Sequence, residues 1–168
     1  AAINGLTTDQ VKSLTTDQAV ALTASQLSTM GSTQAAALST DQLVALTTAQ
    51  VAALTTAQVA AFSTAGIAAM QTTDVASLTV DQIPVLTTAQ AVALTTAQAS
   101  KLSTDQLAAL TTDQVAALET ADLAAVSASR ISALTTDQVV ALDTTQVSKL
   151  TTAQLAGLST AQIAAMET

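Results

Sequence analysis

The stretch Leu110-Thr111-Thr112-Asp113-Gln114-Val115-Ala116-Ala117 decides the fold, because close variants of these eight residues fill the chain. Numbered from its leucine, this octad recurs from Leu6 to Met166 in a phase that never slips. Leu, Met, Phe or Val occupies every position one, and position six is always apolar. A fixed short period is the mark of repeat architectures. The sequence therefore predicts one continuous array over residues 1–168, without a linker.

Positions two and five of the octad match the capping-box pattern, in which a Thr hydroxyl caps a helix and a Gln side chain returns the bond. The apolar residues at positions one and six flank this box as a hydrophobic staple, and Asp at position four suits the positive end of a helix. The octad thus predicts a short capped helix. The candidate capping residues are Thr7, Gln10, Thr15, Gln18, Thr47, Gln50, Thr111 and Gln114, and the candidate core residues are Leu6, Val11, Leu46, Val51, Leu110 and Val115.

These signals favour an all-α solenoid, a superhelix with one very short helix per octad. In one continuous α-helix each octad would turn the apolar stripe by about 80°, so no fixed apolar face would survive. A β-solenoid is the alternative, because the periodicity of short segments is ambiguous, although Ala and Gln are weak strand formers. A single octad cannot bury its apolar side alone, so the helices must stack on their neighbours.

A second period of 48 residues lies over the octads. Val44, Val92 and Val140 are spaced by 48 residues and share octad position seven. We therefore expect six octads to make one superhelical turn or a whole number of turns. Pro84 stands at position seven of the octad 78–85, beyond the first helical turn, where it removes a backbone donor. This octad is predicted to be tight or distorted.

The composition argues against several classes of function. The net charge is −8 and the only basic residues are Lys12, Lys101, Arg130 and Lys149, too few for nucleic-acid binding. No apolar run reaches the length of a membrane span, and residues 1–5 show no signal peptide. The chain has no His or Cys, which most nucleophilic and metal sites use. We expect no enzyme activity, no cofactor, no metal and no small-molecule substrate.

Acidic residues replace parts of the capping box in two octads. Glu119 and Asp122 lie three residues apart, as do Gln71 and Asp74. Calcium needs six to eight oxygen ligands, so these residues are interpreted as variants of the box. Arg130 is eight residues after Asp122, and the two would pair if successive octads stacked directly.

The ends of the sequence fit the repeat. Residues 1–5 match octad positions four to eight, and residues 166–168 match positions one to three. Joining one C-terminus to another N-terminus would continue the array in phase. The predicted partners are therefore a longer array of the same repeat or further copies of the chain in a homo-oligomer or filament, since open head-to-tail contacts generate fibres.

The string Ala-Leu-Thr-Thr-Ala-Gln-Val-Ala-Ala-Leu at residues 45–54 resembles repeats in very large bacterial exported or surface proteins, often labelled adhesins or haem-utilisation proteins. The resemblance implies an extracellular or cell-surface setting, and a role as a filament, stalk or matrix component. Haem is not expected, because the chain has no His or Tyr. An adhesin-type module that presents a Thr-rich or acidic face to a glycan, a surface or ice is the alternative.

Overall fold

Each octad but one forms its own helix of four to six residues. The structure, a computed structural model, describes residues 3–166, so residues 1, 2, 167 and 168 of the predicted array lie outside the described residues. A 3₁₀ helix spans Ile3–Gly5. The α-helices are α1 Thr8–Lys12, α2 Thr16–Val20, α3 Ala24–Ser28, α4 Ser32–Ala36, α5 Thr40–Ala45, α6 Thr48–Ala52, α7 Thr56–Ala60, α8 Thr64–Ala69, α9 Thr72–Val75, α10 Thr88–Val92, α11 Thr96–Ala99, α12 Thr104–Ala109, α13 Thr112–Ala117, α14 Thr120–Ala125, α15 Ala128–Ile131, α16 Thr136–Val140, α17 Thr144–Lys149, α18 Thr152–Gly157 and α19 Thr160–Ala165.

The helices are short because extended residues interrupt the chain between successive helices. Between α13 and α14, for example, Leu118 has φ −61° and ψ 141°, and Glu119 has φ −65° and ψ 146°. No residue in the described range has a positive φ, so the corner between helices uses conformations open to any amino acid. The array therefore turns a corner every eight residues without the glycine that commonly ends a helix.

The octad containing Pro84 is the one that forms no α-helix. Its first turn is still closed, since the amide nitrogens of Gln82 and Ile83 lie 3.0 and 3.1 Å from the carbonyl oxygen of Thr79. Beyond that turn the backbone has only turns and bends up to Leu86. The predicted distortion is confirmed, because proline has no amide hydrogen with which to continue the helix.

The helices of the described range pack in three parallel stacks. Helices in contact are three octads apart; Thr64 and Thr88, for example, begin two packed helices and are separated by 24 residues. The first stack contains α1, α4, α7, α12, α15 and α18, with the octad 78–85 between α7 and α12. The second stack contains α2, α5, α8, α10, α13, α16 and α19. The third stack contains the 3₁₀ helix, α3, α6, α9, α11, α14 and α17. One superhelical turn therefore comprises about three octads, one from each stack.

The core runs along the axis between the three stacks. Position six is fully enclosed in most turns, with Val11, Val51 and Val115 each 0% exposed. The side chains at position one lie between successive helices and complete the core. Leu46 and Leu110 are buried, whereas Leu6, in the first turn, is partly buried and packs against the same core. Small aliphatic layers fill this narrow interior, and Phe62 is its single aromatic residue.

The architecture agrees with the all-α solenoid predicted from the octad. Residues 3–166 contain helices and turns but no strand, so the β-solenoid alternative is wrong. Because one turn holds about three octads, the 48-residue period covers about two turns, which is the whole number expected, and a single turn of six octads is excluded. No helix in the described range is long and apolar enough to cross a membrane.

Candidate functional site

The first turn of each helix is built on a reciprocal pair of hydrogen bonds. The amide of Gln114 donates to Oγ1 of Thr111 at 3.1 Å, and the amide of Thr111 donates to Oε1 of Gln114 at 2.8 Å. The other candidate boxes have the same geometry, Thr7 with Gln10, Thr15 with Gln18 and Thr47 with Gln50. This pair satisfies two amides that a helix N-terminus otherwise leaves without partners.

The same glutamine also joins successive superhelical turns. Nε2 of Gln114 donates to the carbonyl oxygens of Ile83 at 3.0 Å and Leu86 at 2.6 Å, which lie 31 and 28 residues earlier in the chain. We call the glutamines at position five that reach the carbonyl 28 residues earlier the glutamine ladder. Its members in the described range are Gln34, Gln42, Gln50, Gln58, Gln82, Gln90, Gln98, Gln106, Gln114, Gln138, Gln146, Gln154 and Gln162.

The ladder places a polar group inside the stack without leaving it unsatisfied. Gln58, Gln90 and Gln114 are each 1% exposed, yet the amide oxygen and nitrogen of each have backbone partners. Buried amides are costly unless they are hydrogen-bonded. The ladder therefore fixes the register between turns, because a slip of one residue would separate these donors from their carbonyls.

Sequence reasoning predicted the capping box but missed the ladder. The available signal was the identity of the residue at position five. A capping box needs only an acceptor there and accepts Glu as well as Gln, yet this chain uses Gln in sixteen octads and Glu in none. The strict preference for an amide indicates that the side chain must also donate.

Gln10, Gln18 and Gln26 lie in the first turn of the described chain, where there is no earlier turn to receive their amides. Each keeps its capping box, with the N-cap amide donating to Oε1 at 2.8 or 2.9 Å. Gln10 and Gln18 are exposed and Gln26 is half-buried. In these three octads the glutamine caps its helix but makes no bond between turns.

Four octads in the described range carry another residue at position five. Arg130 spans the gap with its longer side chain, since Nη1 donates to the carbonyl oxygen of Ser100 at 2.6 Å. Gly66 leaves the space to the side chain of Leu43, whose Cδ1 would lie 2.5 Å from a Cβ at position 66. The remaining two are the carboxylates Asp74 and Asp122.

Asp74 and Asp122 are buried, whereas the sequence suggested ordinary cap variants. They are 2% and 1% exposed, and burial raises the pKa of both carboxyl groups. Oδ1 of Asp122 accepts from Oγ1 of Thr96 at 2.8 Å, and Oδ2 of each aspartate has no hydrogen-bond partner. No group of three or more metal-binding side chains forms among residues 3–166.

The suggested pair between Arg130 and Asp122 is not present. Arg130 binds the backbone at Ser100, and Asp122 binds the side chain of Thr96. The suggestion was wrong because it assumed stacking of octads eight residues apart. Packed helices are 24 residues apart, so consecutive octads occupy different stacks.

The outer surfaces of the three stacks differ in chemistry. Every basic residue lies in the first or third stack, and the second stack exposes Val20, Val92 and Val140 at octad position seven. Threonine hydroxyls at positions two and three line the outside of most octads, as at Thr47 and Thr48. The array therefore presents repeated hydroxyl rows, with basic groups on two of its sides.

We expect replacement of Thr111 by alanine to lower the free energy of unfolding by about 1 kcal/mol, the usual cost of an N-cap hydroxyl. The lost bond is the 3.1 Å contact with the amide of Gln114. Urea denaturation would measure the change. Thr112, exposed at the next position, is the control, and its alanine variant should shift stability by less than about 0.5 kcal/mol. Equal losses in the two variants would contradict a capping role for Thr111.

Together the helices, the ladder and the continuous core define the chain as a helical repeat protein, a repetitive structural module. A family model described as the ALTTAQ repeat matches residues 36–64, 51–88, 67–104, 88–120 and 115–152. The chain belongs to the ALTTAQ repeat family, and residues 45–50 spell its motif. A comparison with curated proteins and a comparison with solved structures each found no match.

Proposed function

We propose that this array is a structural rod that works outside the cell or on its surface, as part of a filament, stalk or matrix, and that it has no catalytic role. The observation that supports this most is the glutamine ladder, because it bonds each turn to the one before it and nothing in its geometry closes the superhelix. An open repetitive contact of this kind extends in one dimension.

Any further octad, in the same chain or in a second copy, would add to the rod through the contacts already described. At one end, the amide nitrogens Nε2 of Gln10, Gln18 and Gln26 have no earlier turn to which they can donate. At the other end, Leu150 and Leu158 stand at octad position one, whose carbonyl oxygens accept from ladder glutamines in the earlier turns. Matching donors and acceptors favour stacking of copies head to tail.

Negative-stain microscopy and sedimentation velocity of the 168-residue chain over a range of concentrations would test this assembly. A single chain contains about seven turns of about 8–10 Å each, so the rod should be about 60–70 Å long. We expect uniform fibres at high concentration. Short rods of constant length at all concentrations would contradict head-to-tail assembly.

A variant series gives this experiment a matched control. Changing Gln10, Gln18 and Gln26 to Glu keeps the acceptor of each capping box and removes the amide donor, so the fibres should be lost. Changing the exposed residues Ala49, Ala57 and Ala89 to Asp adds the same negative charge away from this end, and the fibres should remain. Loss of fibres in both variants would indicate charge repulsion and not a ladder contact.

A binding module of the adhesin type is the second candidate, and the regular rows of exposed threonine favour it. Thr87 and Thr88 at the start of α10 and Thr111 and Thr112 at the start of α13 are exposed on successive helices of the second stack. Such rows suit a hydroxyl-rich partner such as a glycan or an ice surface. Glycan binding or thermal hysteresis by the purified chain would support this role, and their absence together with fibre formation would favour the rod.

A further inference from the structure

The glutamine ladder of the third stack is interrupted at two places. Asp74 in α9 and Asp122 in α14 stand where other octads have a ladder glutamine, and they are 48 residues, about two turns, apart. Both side chains are enclosed in the stack, at 2% and 1% exposure. The two interruptions therefore repeat with the longer period of the sequence.

Neither aspartate can donate as the glutamine does when its carboxyl group is ionised. The carboxylate of Asp74 accepts from the backbone of Gln71, as Oε1 of a ladder glutamine accepts from its N-cap residue. The carboxylate of Asp122 accepts from Thr96. The carbonyl oxygens of Leu46 and Leu94 lie 28 residues before the two aspartates, where a ladder glutamine would donate. An ionised carboxylate has no hydrogen to donate, so both oxygens lack that donor. Oδ2 of each aspartate is also buried without a hydrogen-bond partner.

Few charged groups lie on the elements packed against these aspartates. Helix α9 packs against α6, which has no charged residue, and against α11, which is followed by exposed Lys101. Helix α14 packs against α11 and against α17, which has Asp143 as its N-cap and ends at exposed Lys149. Glu119, at the start of α14, adds a like charge near Asp122. None of the basic groups forms an ion pair with either buried carboxylate.

We propose that Asp74 and Asp122 are proton-operated joints between turns, in which the protonated carboxyl donates to the preceding turn as a ladder glutamine does, and the ionised carboxylate weakens that contact. Protonation supplies the hydrogen that the register requires, and it removes a buried charge. The contacts between turns at α6–α9 and α11–α14 are then strongest in acid and weaker at neutral pH.

The direction of the pKa shift agrees with this device. Burial is the largest cause and raises the pKa of Asp74 and of Asp122 above the usual value of 3.8, and the charge of Glu119 raises that of Asp122 further. A raised pKa in the folded state means that the stabilisation is complete below pH 3.8 and is lost as the pH rises through the folded pKa.

Thermal unfolding of the full chain between pH 4 and pH 7 would test the joints by comparison of variants. Changing Asp74 and Asp122 together to Asn supplies a permanent donor, and we expect its Tm to exceed that of the unchanged protein by at least about 2–4 °C at pH 7. This difference should shrink towards pH 4. The control changes Asp105 and Asp113, exposed at octad position four, to Asn with the same loss of charge, and it should show no such gain.

Two results would overturn the proposal. One is a difference in Tm that stays constant across the pH range, which would indicate a packing effect of the substitution. The other comes from the unsubstituted protein, by ¹³C nuclear magnetic resonance of the aspartate carboxyl carbons. Midpoints clearly above 3.8 for Asp74 and Asp122 would support the joints, and midpoints at or below 3.8 would exclude them whatever the variants do.

Discussion

Replacement of Gln90 by alanine is expected to lower the free energy of unfolding by about 3–4 kcal/mol. The variant loses the bonds from Nε2 to the carbonyl oxygens of Val59 and Phe62, at 3.1 and 2.8 Å, together with its capping box. Each buried backbone group left without its partner costs about 1–3 kcal/mol. Urea denaturation would give the total change, and hydrogen exchange of amides in α8 and α10 would show whether the opening is local.

Gln18 provides the matched control for this prediction. It lies in the same stack and forms the same capping box, at 2.9 and 3.2 Å, but it is exposed and has no earlier turn to bind. Its alanine variant should therefore lose only about 1 kcal/mol, the contribution of a cap. The difference between the two variants measures the bond between turns. If both variants lost the same amount, the ladder would contribute nothing beyond capping.

Replacement of Leu107 by alanine should have an effect of similar or larger size, about 3–5 kcal/mol, as for other fully buried leucines. Leu107 is 0% exposed at position six of α12, with turns of the array above and below it. The cavity would interrupt the continuous core and reduce the coupling between the two halves of the array. A denaturation curve with two separated transitions would be the clearest sign of this loss of coupling.

Leu155 is the control for the core prediction, because it has the same octad position in the same stack but only partial burial near the last described turn. Its alanine variant should lose clearly less stability than Leu107→Ala, since less apolar contact is removed. Equal losses at the two positions would contradict a core whose stability comes from neighbours on both sides.

The capping boxes and the distorted octad could be predicted because the residues that determine them lie within a few positions of each other. Thr111 and Gln114 are three positions apart, and their box depends only on the geometry of one helical turn. The distortion at Pro84 followed from its missing amide hydrogen. These features are independent of how the helices are arranged, so the octad alone contains them.

The number of octads in a turn could not be predicted, because it depends on the angle that the extended residues at each corner impose on successive helices. Small differences in φ and ψ at residues such as Leu118 accumulate over three octads. The burial of Asp74 and Asp122 depends on that arrangement. For the same reason the proposed pair of Arg130 with Asp122 was wrong, since their side chains belong to different stacks.

The ladder also has a mechanical consequence for a chain pulled from its ends. Each octad adds only a third of one turn, about 3 Å, to the length of the folded rod. Once released it can extend to about 26–29 Å, since an extended residue spans at most 3.3–3.6 Å. Under an applied force, the rod should therefore unfold octad by octad, and its length should increase nearly tenfold. It should rewind when the force falls, because each recovered octad docks on the turn that is still folded.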